Sequence, residues 1–156
     1  MVSKDNLVVT KRNGRGKESL NIEKIHSMVG FATEGITGVS ASHVEMNSGI
    51  QFFDGINTED IQQILIKSAN DLISLENPNY QYVAARLLLF SLRKRLFHRL
   101  WEHPSFLDHI KSCIKLEMYD KDILVNYTEA EIDRLNGFID HERDYNFTYA
   151  GLRQVM

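Results

Sequence analysis

The stretch YQYVAARLLLFSLRKRLF, residues 80–97, constrains this chain more than any other. Val83, Leu87, Leu88, Leu89, Leu92 and Leu96 make it a long helix that is apolar on most sides. Such a helix must be enclosed by others, which places it at the centre of a bundle. Its last turns are basic (Arg93, Lys94, Arg95, with Arg99 just beyond), where the negative end of the helix dipole favours cations. With 156 residues, 43% of them hydrophobic and 25% charged, the chain is long enough for one domain, or one domain plus a short extension, with an ordinary core. The single cysteine, Cys113, excludes an internal disulfide and a multi-cysteine zinc site. No apolar run approaches the about 18 residues of a membrane span, and the opening MVSKDNLVV lacks the apolar core of a signal peptide. The expectation is a cytoplasmic protein with no membrane partner.

Charge is segregated along the chain. Residues 1–26 carry net +3, residues 27–80 net −6, residues 81–101 net +5 and residues 102–156 net −5, for an overall −3. That balance excludes a nucleic-acid binder held mainly by phosphate contacts. Two basic segments far apart in sequence form a local anion site if the fold joins them, and are solvated faces if it does not.

Local signals divide the chain into elements. Leu7 to Arg12 is β-rich, Asn13-Gly14 is a turn signal, and a second short strand runs from Lys17 toward Asn21, so the chain opens with a β-hairpin. Asn21 caps a helix starting at Ile22, with Glu23 in its first turn and Ile22, Ile25, Val29 and Ala32 on one face; Gly35 ends it. Ser42-His43-Val44-Glu45 reads as a capping box opening a second helix toward Phe53, broken by Asp54-Gly55. Thr58 caps a third helix, with Ile61, Ile64, Leu65, Ala69 and Leu72 as its stripe, and Asn77-Pro78 turns into the long helix. Pro104 marks a boundary. Beyond it lie an amphipathic stretch (Phe106, Ile110, Cys113, Ile114), a helix opened by the box Thr128-Glu129-Ala130-Glu131, and the segment HERDYNFTYAGLRQVM. The last residues, Leu152 to Met156, read as the edge of a fragment.

Most candidate chemistry has a plainer explanation. Gly14-Arg15-Gly16-Lys17-Glu18-Ser19 fails as a phosphate loop, because the glycines are too close and Glu18 stands where a magnesium-binding hydroxyl belongs. His141-Glu142-Arg143-Asp144 begins like a zinc-protease helix, but Tyr145 replaces the second histidine, so a polar network or helix junction is preferred and no metal is expected. His103 and His109 sit on no ligand spacing, and Cys113 on its apolar stripe reads as a small buried hydrophobe. No catalytic constellation is present. One binding constellation stands out. Lys11 and Arg12 of the hairpin, Lys24 of the first helix, Arg93-Lys94 of the long helix and the helix start at Thr58 can converge on one triphosphate, with Val9, Ile25 and Ile61 beside a base ring.

Residues 7–98 resemble the ATP-cone, a nucleotide-sensing regulatory domain, through LVVTKRNG at 7–14, ESLNIEKIH at 18–26, FFDGINTEDIQ at 52–62 and NYQYVAARLLLFSLRK at 79–94. With YDKDIL, YTEAEID and HERDYNFTYAG downstream, nearly the whole chain is similar to the amino-terminal region of class I aerobic ribonucleotide reductase large subunits, of the enterobacterial and T4-like phage type. The resemblance implies a mainly α (α+β) fold: a small β-sheet capping a four-helix bundle over residues 1–100, then a helical segment over 101–156 leading into a catalytic barrel. It implies ATP or dATP as allosteric effector, with Mg²⁺ carried on the phosphates. It implies Lys11 and Lys94 as phosphate ligands with Arg12 nearby. Glu18, Ser19, Leu20, Asn21, Ile22, Glu23 and Lys24 would hold the nucleoside and phosphates, Thr58 and Gln62 would complete the pocket, and Val9, Ile25 and Ile61 would line the base. The implied partners are the remainder of the large subunit and the radical-generating small subunit.

Two departures accompany the resemblance. Members inhibited by dATP carry a histidine where this chain has Gln62, and a neutral amide does not become cationic beside phosphate. The hairpin tip is also one residue longer, so Arg15-Gly16-Lys17 have no one-to-one match. The family's radical and redox cysteines are absent from these residues, so catalysis by this chain alone is not expected. The alternative is a degenerate cone that acts only as an assembly module for reductase subunits. An ATP-cone transcriptional repressor is disfavoured, because its zinc ribbon needs paired cysteines.

Overall fold

The computed structural model describes residues 7–11, 14, 16–49, 51–98 and 103–156. The described chain is mainly helical, with one small antiparallel sheet at its start. It divides into two compact units, residues 1–92 with 145–156, and residues 93–144. No helix among the described residues is long and apolar enough to cross a membrane.

In the first unit, β1 (Val8–Thr10) pairs with β2 (Lys17–Ser19) in the register Val8 to Ser19, Val9 to Glu18 and Thr10 to Lys17. Four helices follow: α1 (Ile22–Thr33), α2 (Ala41–Gly49), α3 (Thr58–Asp71) and α4 (Tyr80–Phe97). The expected hairpin and helix order is therefore present. α2 packs against both α1 and α3. Val29, Val44, Leu65, Val83 and Leu87 are fully buried. Burying an aliphatic side chain of that size contributes about 1.5–3 kcal/mol. Phe90, in the part of α4 that belongs to this unit, is 1% exposed and meets the Tyr145 ring edge-on.

Polar links fix the helices at their ends. The Ser40 N–H donates to Tyr80 Oη at 3.0 Å, and His43 Nδ1 lies 3.3 Å from the same oxygen, so the start of α4 holds the start of α2. Arg86 of α4 donates from Nη1 to the Glu34 carbonyl at 2.6 Å, just past the end of α1, and its guanidinium lies over the Tyr145 ring at 5.3 Å. The last element of this unit is α8 (Tyr149–Val155), capped by Thr148, whose Oγ1 accepts from the Gly151 N–H.

The second unit contains α5 (Phe106–Lys115), α6 (Ile123–Asn126) and α7 (Glu129–Asn136), the last turns of α4, and the start of a 3₁₀ helix over His141–Asn146. Leu107, Ile110 and Ile132 form its core, with Phe106, Ile114 and Ile123 packed on it. The Thr128–Glu131 capping box read from the sequence is present at the start of α7. Cys113 is buried as expected, with Sγ 3.6 Å from His109 Nε2.

Several local expectations are corrected. Ile22 is 49% exposed, because it is the first residue of α1 and precedes the turn that meets the core. The Ser42–Glu45 box does not form: α2 already starts at Ala41, so Ser42 lies inside the helix, and Glu45 instead pairs with His26 of α1 at 2.9 Å. The α3 stripe is broader than read. Ile64 and Leu72 are only half-buried, whereas Gln62, Ile66 and Ser68 are buried. Arg93 is no solvated cation of a basic face. It is 3% exposed, and its Nη2 donates to Asp144 Oδ2 at 3.0 Å.

Gly55 tests the turn that brings the chain back to β1. Its φ is +84°, and a Cβ there meets nothing within 4 Å, so substitution strains the backbone alone. Gly55→Ala is expected to cost about 1–2 kcal/mol, the penalty of a left-handed conformation for an L-residue. Urea denaturation measures it, and an unchanged midpoint contradicts the turn.

Candidate functional site

The site is built around β1, which is paired on both edges. On one side lies β2. On the other, the segment 54–57 runs alongside it, parallel, with a bridge between Thr10 and Asn57. The Val8 N–H donates to Asp54 Oδ1 at 2.9 Å, the Gly55 N–H to the Val8 carbonyl at 2.8 Å and the Thr10 N–H to the Ile56 carbonyl at 2.9 Å. Thr10 Oγ1 adds a bond to the Gly55 carbonyl at 3.2 Å. The Asp54-Gly55 pair, read as a helix breaker, is therefore also the start of a third strand-like segment.

This pairing sets where two helices begin. α1 starts directly after β2, where the Leu20 N–H donates to the Leu7 carbonyl at 2.7 Å. Asn21 is its N-cap, accepting from the Lys24 N–H at 3.0 Å, as read from the sequence. α3 starts directly after the bridge to Thr10. Its cap is Asn57, not Thr58: Asn57 Oδ1 accepts from the Glu59 N–H at 2.9 Å, and Thr58 is the first helical residue. Each helix start leaves backbone N–H groups without intrahelical partners and carries a partial positive charge. Lys11 follows the strand residue that bridges to Asn57, so by register it belongs to the same end of the ribbon as the start of α3.

The side chains follow from this frame. Lys11 Nζ lies 3.4 Å from Glu18 Oε2 across the hairpin, both side chains well exposed. Such a pair contributes little and opens readily. Ser19, Asn21, Ile22, Glu23 and Lys24 are exposed, and Leu20 and Thr58 are half-buried. Val9, Ile25 and Ile61 are buried, at 2%, 8% and 5% exposure. Gln62 is also buried, with Nε2 3.8 Å from Met28 Sδ. Lys94 is exposed near the end of α4 and belongs to the second unit. Arg12 lies outside the described residues.

Hairpin, third edge and two flanking helix starts lie within residues 7–95, and those residues match the ATP cone domain family. The chain belongs to that family. Its relatives agree. It is 47% identical over 150 residues to ribonucleoside-diphosphate reductase 1 subunit alpha of Escherichia coli (strain K12), covering 96% of this chain and 19% of that protein. It is 49% identical over 152 residues to the subunit alpha of Buchnera aphidicola from Acyrthosiphon pisum, covering 97% of this chain and 20% of that protein. The subunit alpha of Enterobacteria phage T4 is 43% identical over 138 residues, covering 88% of this chain and 18% of that protein. The chain thus spans about a fifth of the length of these relatives.

Within this ATP cone, sequence reasoning missed Asp54 and Asn57. Asn57 was legible in principle, since Asn directly before Thr-Glu-Asp is an N-cap pattern. Asp54 was not, because its acceptor role depends on a strand 46 residues away in sequence. The two candidate caps are distinguished by substitution. Asn57→Ala is expected to cost about 1 kcal/mol and to speed amide exchange at Glu59, whereas Thr58→Ala costs at most a few tenths, as for a helical residue that is not the cap. Equal costs in chemical denaturation contradict the assignment.

Proposed function

We propose that this ATP cone is an allosteric ATP/dATP-binding region of a ribonucleoside-diphosphate reductase large subunit, with the nucleotide bound at the hairpin. The carrying observation is the doubly paired β1, which sets Lys11 and the starts of α1 and α3 on one small ribbon. In this reading Lys11 and Lys94 neutralise the phosphates, with Arg12 nearby, and the backbone N–H groups at the start of α3, around Thr58, supply further donors. Glu18 gives up its pairing with Lys11 when phosphate arrives and becomes a polar reader with Asn21, within the segment Glu18 to Lys24. Val9, Ile25 and Ile61 form the apolar wall for the base, and Gln62 sits one residue further along α3. Magnesium is carried by the phosphate oxygens.

The regulatory step is a difference in affinity. A nucleotide shifts assembly only by binding one state of the subunits more tightly than another. The partners in this reading are the rest of the large subunit and the radical-generating small subunit. Residues 1–100 constitute the regulatory domain and residues 101–156 lead toward the catalytic part. The names of the relatives support this reading, as does their similarity over nearly the whole chain.

Lys11→Ala and Lys94→Ala are each expected to weaken ATP binding about tenfold or more, equivalent to about 1.4 kcal/mol. Isothermal calorimetry with magnesium measures this, and unchanged affinity removes the lysine from the site. ATP and dATP are also expected to raise the melting temperature, because a ligand of the native state stabilises it. A titration without heat or melting shift favours a docking role for the cone instead.

A further inference from the structure

The second unit gathers polar side chains that the nucleotide reading does not use. The imidazoles of His103, in the segment before α5, and His141, at the start of the 3₁₀ helix, are stacked with centroids 3.6 Å apart and planes 2° from parallel. His141 Nδ1 lies 3.6 Å from Asp144 Oδ2. One ligating atom from each of His103, His141 and Asp144 falls within 4.8 Å of the others, and all three residues are half-buried. His103 and His141 line a cavity of about 200 Å³. A third imidazole, His109, lines it too, with Phe97, Phe106 and Ile139 among its apolar walls. Asp144 is also held by the buried Arg93, whose Nη2 lies 3.0 Å from the same Oδ2.

We propose that His103, His141 and Asp144 form a binding site for a borderline divalent transition-metal ion of the Zn²⁺ class. Two imidazole nitrogens and one carboxylate oxygen suit zinc, cobalt or nickel, whereas magnesium and calcium prefer all-oxygen sets. Arg93 holds the carboxylate of Asp144 through Oδ2, the oxygen that also lies near His141. A hydrogen-bonded partner behind a ligating carboxylate is the usual outer support of such sites. Ligands about 2.0–2.2 Å from one ion lie closer together than the present span, so the cluster contracts on binding. Parallel rings also leave an ion between them out of both planes. One imidazole therefore swings into the cavity, and binding opens the stack. The ion would staple the segment before α5 to the 3₁₀ helix. The sequence hides the site because no local motif contains it: His141 and Asp144 are one turn apart on the 3₁₀ helix, but His103 comes from beyond three intervening helices.

The test uses the 156-residue chain without nucleotide, so its outcome is independent of the effector reading. Co²⁺ is titrated while visible d–d absorption is followed, with Zn²⁺ as competitor. One ion per chain with low-coordinate cobalt bands is expected. His103→Ala and His141→Ala should each weaken binding by more than the about 10–100-fold that loss of an outer partner costs, while His26→Ala leaves it unchanged. Absence of the cobalt bands overturns the proposal, as does binding that survives both cavity substitutions. If a variant fails to fold, Zn²⁺ titration of the unaltered chain decides. The His103 and His141 ring resonances should shift together as the stack opens, and shifts confined to other histidines overturn the site.

Discussion

The pairing of β1 on both edges is the constraint from which the rest of the first unit follows. Three-residue strands joined only as a hairpin are marginal in water. The segment 54–57 supplies the missing edge through two backbone hydrogen bonds and the Asp54 carboxylate. In doing so it pins a loop that would otherwise wander between α2 and α3. Because the third edge leads straight into α3, the same bonds that stabilise the ribbon also aim a helix start at it. Fold stability and site geometry rest here on one set of contacts.

What was legible in the sequence was local. The long helix over residues 80–97 has its predicted bounds, since eighteen residues of suitable periodicity and a preceding Asn-Pro turn leave little freedom. Asn21 and the Thr128–Glu131 box were readable because a cap and the N–H it accepts from lie within three residues of each other. What failed was non-local or hinged on a one-residue shift. Ser42 carries a capping pattern, but the helix begins one residue before it, so the hydroxyl never reaches the cap position. Thr58 and Asn57 are both good cap residues; the bridge to Thr10 holds Asn57 just outside the helix, where its side chain accepts from the Glu59 N–H.

Charge segregation along the chain was a weaker guide than it first seemed. Of the basic groups that mark the two positive segments, Arg93 lies buried against an acidic residue of the negative tail, and Lys11 already has a carboxylate across the hairpin. Runs of like charge in sequence are thus partly neutralised in space. Candidate cations have to be judged by what each one already touches. The histidines make the same point in reverse: His103 and His141, unremarkable in sequence, are stacked ring on ring.

The hold of Arg86 on the carbonyl just past α1 has a mechanical consequence. α1 begins at the ribbon and runs twelve residues to that grip, and an α-helix is stiff along its axis. The guanidinium in turn leans on Tyr145, which touches Phe90. The two ends of this rod, some 18 Å apart at about 1.5 Å per residue, are thus tied to the ribbon and to an aromatic contact on the 3₁₀ helix, so neither end shifts without loading the other.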